Sequence, residues 1–488
     1  MVSLSALAVA IAPTSAAAPD QGLCRRAPAL PPLGPETAPR PQDRHRAVPV
    51  GMPAPPPPMA PPSPASPIEM PEASGEIVLT GSRAEASDAK TAVPTPTPVV
   101  VAPPVAAVSP EARGPGGFRQ APPAGLLTAG DHDDLLNPML YARYAARAAR
   151  QLGQSVTGLP SVDTRRTLSI AVQDSGGRAR PFVPVTITCA DGNSLTLQTL
   201  ADGRVVLFPS LDRLGDKVTV AAGGIRKTVL IDAENGGQEQ AIVIPGGAAP
   251  VRKFDLVIAL DTTGSMGDEI EFLKSELQSI LGDIRRAYPQ LDIRVGLVAY
   301  RDEGDDYVTR TDRLTGNFAT IQKRLNGTDG DGGGDMPEAM DQALIRAVGL
   351  DWRPDAVKSL LLVADAPPHD ELQGRAFAAA EAARAKRIQI VPVAASDTDD
   401  RAEYFMRAVA AATQSRYIFL TDDSGIGNAH AEPNVDCYVV TKLAGSIRRV
   451  LAGQIAGTRV EPLPDEVIRV SGTYDKGRCV LPPDFSIQ

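Results

Sequence analysis

Two hydrophobic periodicities divide the second half of the chain. Between Thr167 and Pro245 apolar residues fall on every second position: Leu168, Ile170 and Val172 in "TLSIAVQ", then Val185, Ile187 and Cys189 in "VTITC". The runs "LTLQTL", "RVVLF", "KVTVA", "RKTVLI" and "AIVIP" follow, separated by Asp-Gly and Gly-Gly pairs. Alternation of this kind buries one face of a strand and wets the other. About seven short strands in roughly 80 residues predict an antiparallel β-sandwich, placed at 165–248. After Pro250 the period changes. "FDLVIAL", "DIRVGLVAYR", "VKSLLLVAD", "RIQIVPVAAS" and "RYIFLTD" are nearly continuous apolar runs. Between and after them, "MGDEIEFLKSELQSILGDIRRA", "MPEAMDQALIRAV", "ELQGRAFAAAEAARAK", "RAEYFMRAVAAAT" and "YVVTKLAGSIRRVLAGQI" read as helices. Strands buried on both faces and joined by amphipathic helices predict a doubly wound α/β unit with a mostly parallel sheet, over 252–456.

The first half is different. Residues 19–125 are dominated by tracts such as "MPAPPPPMAPPSPASP" and "VPTPTPVVVAPPVAAVSP", a composition that buries no core and favours extended, polyproline-like conformations. They are read as a disordered, semi-rigid spacer. Inside it "GEIVLTGSR", Gly75 to Arg83, is a short run of β-formers. It resembles a segment near the start of many TonB-dependent outer-membrane receptors and is read as incidental to the linker. Residues 126–160 predict a helical segment that starts at Asn137-Pro138, with proline at the first helical position. Residues 457–488 read as a C-terminal extension. Residues 1–18 are apolar from Val2 to Ala12 and end in small residues, the pattern of a signal peptide, although no basic residue precedes the apolar run. Export to a periplasm, cell envelope or medium is therefore expected, and a cytoplasmic location if that leader does not function.

Charge and cysteine content narrow the function. The net charge of −9 comes with no basic block, which argues against nucleic acid and anionic membranes as partners. No membrane span is expected after leader cleavage. The four cysteines, Cys24, Cys189, Cys437 and Cys479, form no CxxC or Cys/His pattern, so a zinc site has no support. In an oxidising compartment Cys437 can pair with Cys479 and tie down the C-terminal tail; two free thiols are the alternative.

Ligands of a doubly wound sheet bind at the carboxyl ends of its strands, and three oxygen-rich loops are expected there. The first carries Asp261, Thr263 and Ser265, the second Thr328, Asp329, Asp331 and Asp335, and the third Asp365 followed by His369. Carboxylates and hydroxyls without nitrogen or sulfur suit a hard cation: Mg²⁺, Mn²⁺ or Ca²⁺. Arg301, Asp302, Glu303, Asp305 and Asp306 read as a solvated rim, and His369 as a loop residue rather than a ligand.

The order Asp-x-Thr-x-Ser after the first strand, "GGGDMPEA" before a helix and "VADAPPH" after a central strand resembles a von Willebrand factor type A domain, with its Rossmann-like fold. The resemblance spans about Phe254 to Ala456. It implies a metal-ion-dependent adhesion site at Asp261, Thr263, Ser265 and Asp365, binding Mg²⁺ and completed by an Asp or Glu carboxylate of a partner protein. The family supplies a threonine from the second loop; here Asp335 is the candidate replacement, with Thr328 as the hydroxyl alternative. The tract "LQTLADGRVVLFP" resembles carboxypeptidase-regulatory-like β domains of secreted proteins.

These readings imply a bacterial-type envelope protein acting in adhesion or scaffolding through recognition, not catalysis. The alternatives are a Mg²⁺-dependent partner subunit of an intracellular AAA ATPase and a phosphoaspartyl-type hydrolase. The second would want an acid where Thr263 stands or a lysine where Thr262 stands. A P-loop sequence is absent, and "DGDGGGD" departs from the EF-hand spacing at Gly333.

Overall fold

A computed structural model describes residues 22–36, 127–156, 158–232, 237–334, 336–425 and 430–481. The expected leader, the Gly75–Arg83 strip and Asp335 lie outside the described residues. The chain forms β1 (Thr128–His132) and α1 (Pro138–Leu152). Seven strands follow: β2 (Leu168–Gln173), β3 (Pro184–Thr188), β4 (Ser194–Gln198), β5 (Arg204–Leu207), β6 (Lys217–Ala222), β7 (Ile225–Leu230) and β8 (Gln238–Val243). The α/β part then runs β9 (Lys253–Asp261), α2 (Gly267–Ala287), β10 (Asp292–Tyr300), β11 (Thr309–Thr315), α3 (Phe318–Asn326) and α4 (Met340–Val348). It continues with β12 (Val357–Ala364), α5 (Gln373–Ala385), β13 (Ile388–Ala394), α6 (Asp400–Ala412), β14 (Tyr417–Thr421), β15 (Tyr438–Lys442), α7 (Leu443–Ala456) and β16 (Arg469–Ser471).

One nine-stranded sheet has the order β11-β10-β9-β12-β13-β14-β1-β15-β16. Its centre, β10, β9, β12, β13 and β14, is parallel. Period-two geometry sends Val257 and Ala259 into the core under α1, α4, α5 and α6. Leu256, Ile258 and Leu260 face the opposite core, formed with α2, α3 and α7. Burial on both faces explains the unbroken apolar run of β9.

The α/β unit begins earlier than expected. Within the stretch read as helical at 126–160, β1 enters the sheet antiparallel to β14 and β15, and only then does α1 start, with Pro138 in its first turn. "TAGDH" carries no hydrophobic strand signal; its burial depends on distant partners. Asp131 meets Arg416 and Arg459, each at 3.2 Å, and the Thr128 hydroxyl donates to the Thr421 carbonyl at 2.8 Å. A methyl group on Gly130 would come within 2.5 Å of the Phe419 ring. At the other end, the first residues of the expected last helix, Tyr438–Lys442, are a strand, and β16 from the C-terminal extension pairs with it.

The sandwich sheets are β5-β2-β8 and β4-β3-β6-β7. They are not wholly antiparallel, because β2 and β8 run parallel. A bidentate ion pair between Arg384 on α5 and Asp212, at 2.7 and 2.8 Å, fastens the sandwich to the α/β unit.

Residues 22–36 form a strap instead of a free spacer. Cys24 is disulfide-bonded to Cys189 in the sandwich, Arg25 pairs with Glu381 on α5, and the Pro32 carbonyl accepts from Arg375 at 3.0 Å. Leu30 and Leu33 pack on the α/β core. Residues 22–36 and the chain from residue 127 onward thus belong to one compact unit. The expected Cys437–Cys479 disulfide is present. Among the described residues no helix is long and apolar enough to cross a membrane.

Candidate metal centre

Asp261 closes β9 and Asp365 follows β12, the neighbouring parallel strand, where Val363 pairs with Leu260. Both acids therefore emerge at the same carboxyl edge. They are fully buried, at 0% and 1% exposure. Asp261 Oδ1 accepts from the Thr263 N–H at 3.0 Å and the Thr263 hydroxyl at 2.8 Å. Thr263 Oγ1 lies 3.4 Å from Ser265 Oγ. Asp261 Oδ2 and both Asp365 oxygens have no hydrogen-bond partner.

Unpaired buried carboxylates are costly unless something cationic or a proton joins them. Burial, reinforced by the nearby Asp365 charge, pushes Asp261 up to about 7. Burial likewise raises Asp365. An oxygen-only set with orphaned acceptors fits a hard divalent cation. Among the described residues no three His, Cys, Asp or Glu side chains converge tightly enough to hold a metal by themselves. A cation here would use Asp261, Asp365, the Thr263 and Ser265 hydroxyls, and water.

The second loop packs on the first through its backbone. Gly264 N–H donates to the Gly332 carbonyl at 3.0 Å, and Asp331 N–H to the Thr262 carbonyl at 3.1 Å. Thr328 does not serve the site in this arrangement: its hydroxyl donates to the Arg324 carbonyl at 3.0 Å and closes α3. Asp329 pairs with Lys274 at 3.1 Å.

Glu338, two residues before α4, is the acid that sequence reasoning passed over. It is 3% exposed, and its Oε2 has no partner. Its N–H donates to the Pro367 carbonyl at 3.0 Å, joining it to the Asp365 loop. A Cβ on Gly333, whose φ is +64°, would meet Thr263 Cβ at 2.8 Å and Glu338 Oε1 at 2.9 Å. Only glycine lets those two groups approach across the loop. Burial first, then Asp261, Asp302, Asp305 and Asp365, pushes Glu338 up to about 9. The signal was present in "GGGDMPEA", where the glutamate reads as an ordinary helix-start acid.

The expected rim is partly buried. Arg301 is 6% exposed and donates to the Thr262 carbonyl at 3.1 Å and the Asp329 carbonyl at 3.0 Å. His369 Nε2 lies 2.7 Å from Asp302 Oδ1, joining the third loop to the rim. Asp305 accepts from the Gly333 N–H at 3.1 Å.

Residues 255–431 match the family model of the von Willebrand factor A domain. An ariadne-like RING finger protein, R811, of Acanthamoeba polyphaga mimivirus is 33% identical over 126 residues, 25% of this chain and 12% of that protein. The alpha-protein kinase vwkA of Dictyostelium discoideum is 28% identical over 117 residues, 24% of this chain and 19% of that protein. The chain thus spans less than a fifth of the length of either relative. Among solved structures, the pilus adhesin SpaC from Lactobacillus rhamnosus GG in its open conformation is similar over 42% of this chain and 30% of that chain, at 14% identity and a TM-score of 0.31.

Proposed function

We propose that this chain is a divalent-cation-dependent protein-binding protein, acting in adhesion or scaffolding at the cell envelope. The observation that carries the reading is the pair Asp261 and Asp365, buried side by side with three unpartnered oxygens. A bound Mg²⁺ or Mn²⁺ would supply the missing positive charge and an electrophilic position for an Asp or Glu carboxylate of the partner. Thr263 and Ser265 would contribute neutral hydroxyls, and the Thr263 hydrogen bonds would orient Asp261.

Export is supported by the two disulfides, Cys24–Cys189 and Cys437–Cys479, since such bonds persist in oxidising compartments. The role is recognition and not catalysis. Thr263 occupies the place where a phosphoaspartyl enzyme wants its second acid, and its hydroxyl is engaged with Asp261.

The test is capture of protein from an envelope extract on the immobilised full chain, in Mg²⁺ and in chelator, beside Asp261→Asn. Retention that needs both the cation and Asp261 supports the reading. Retention indifferent to both contradicts it.

A further inference from the structure

The missing second-loop threonine leaves a question about how this centre is balanced. Thr328 is spent at the end of α3, whereas Glu338 is buried with an unpartnered oxygen and reaches past Gly333 toward Thr263. Its backbone is tied to Pro367, so its position is set by the same loop that carries Asp365. Resting on the metal-centre reading above, we propose that Glu338 takes the second-loop place as a specificity-determining carboxylate, accepting a hydrogen bond from a cation-bound water.

Placing Glu338 one water away from the cation, rather than in direct contact, is part of this proposal. Magnesium-like cations keep several waters, and each needs an acceptor. Carboxylates that hold ligands from this outer position raise metal affinity substantially.

The charge has a second consequence. Once a bound divalent cation holds all three ionised, Asp261, Asp365 and Glu338 would together carry one more negative charge than it neutralises, with Asp302 and Asp305 acting on Glu338 from the rim. A site of that sign holds its cation tightly and attracts an added carboxylate weakly. Glu338 therefore acts as a brake: it favours metal loading and screens out simple carboxylates, so a partner must gain affinity from contacts around the rim.

The experiment uses the full chain stripped with chelator and titrated with Mn²⁺. Free Mn²⁺ is followed by electron paramagnetic resonance, and water on bound Mn²⁺ by proton relaxation, with acetate as the carboxylate probe. Glu338→Gln is expected to weaken Mn²⁺ binding about 10-fold or more and to let acetate displace bound water at a lower concentration than in wild type. Thermal unfolding in chelator checks the fold; should Glu338→Gln not fold, Glu338→Ala takes its place with the same readouts. Wild-type Mn²⁺ binding with an unchanged affinity and acetate response in the variant overturns the role of Glu338 and leaves the metal centre standing. Absence of Mn²⁺ binding in wild type overturns the metal-centre reading, and this inference with it.

Discussion

The Arg301 guanidinium donates to the Asp329 carbonyl at 3.0 Å, and from the same group reaches the Thr262 carbonyl at 3.1 Å. One buried cation thus joins the loop bearing Asp261 to the glycine-rich loop opposite. Hydrogen bonds to charged groups contribute about 1.5–3 kcal/mol. Arg301→Met should lower stability by about that amount in chemical denaturation and weaken Mn²⁺ binding through loss of loop order. Unchanged stability would remove Arg301 as the staple.

Asp131 provides a second test, away from the edge that carries Asp261. Burial alone would raise its pKa, but Arg416, Arg459 and Arg449 hold it below the ordinary carboxylate value. Removing one member of a buried ionic cluster leaves charge uncompensated, at a cost of about 3–5 kcal/mol. Asp131→Asn should show that loss in urea unfolding. A fragment starting at residue 250 would lack β1 altogether and should not unfold cooperatively.

His369 supplies the pH dependence. Burial lowers its pKa, but the Asp302 hydrogen bond and charge outweigh burial and raise it above the ordinary value. A raised histidine pKa stabilises the fold fully below the unfolded value of about 6.5 and loses that contribution as pH rises through the folded value. The stability gap between wild type and His369→Gln should therefore be larger at about pH 5.5 than at about pH 8.5, by on the order of 0.5–1 kcal/mol. Equal gaps at both pH values would count against the pair.

The strap makes a prediction about the chain's N-terminal part. Cys24 lies 1% exposed in the sandwich core and bonded to Cys189. Peptide mapping without reduction should recover Cys24 joined to Cys189 and Cys437 joined to Cys479. Cys24→Ser should cost about 2–4 kcal/mol and expose residues 22–36 to proteolysis. Recovery of Cys24 as a free thiol would contradict the docked strap.

What was legible in the sequence follows from where the physical signal resides. The parallel strands announce themselves because both faces are buried, and the Asp261 and Asp365 motifs follow from strand ends. By contrast, β1 is unreadable locally, since "TAGDH" is held by Arg416, Arg459 and Thr421 from far along the chain. Alternation showed that β2 and β8 are strands but carries no information on their parallel pairing. The strap shares its proline-rich composition with the tract that follows, so composition alone does not separate them. Glu338 was hidden because an acid near a helix start has an ordinary explanation, and only the Gly333 gap brings it to Thr263.

On the proposed function, Asp261 and Asp365 are the pair that a divalent cation would join. The most direct measurement is calorimetric titration of the full chain with Mg²⁺ and Mn²⁺, wild type beside Asp261→Asn, which keeps an oxygen for Thr263 but not the charge. Saturable binding of one ion by wild type, lost in Asp261→Asn while thermal unfolding in chelator stays cooperative, is the predicted result. Wild type that binds neither ion, or a variant that binds both as well as wild type does, would contradict it.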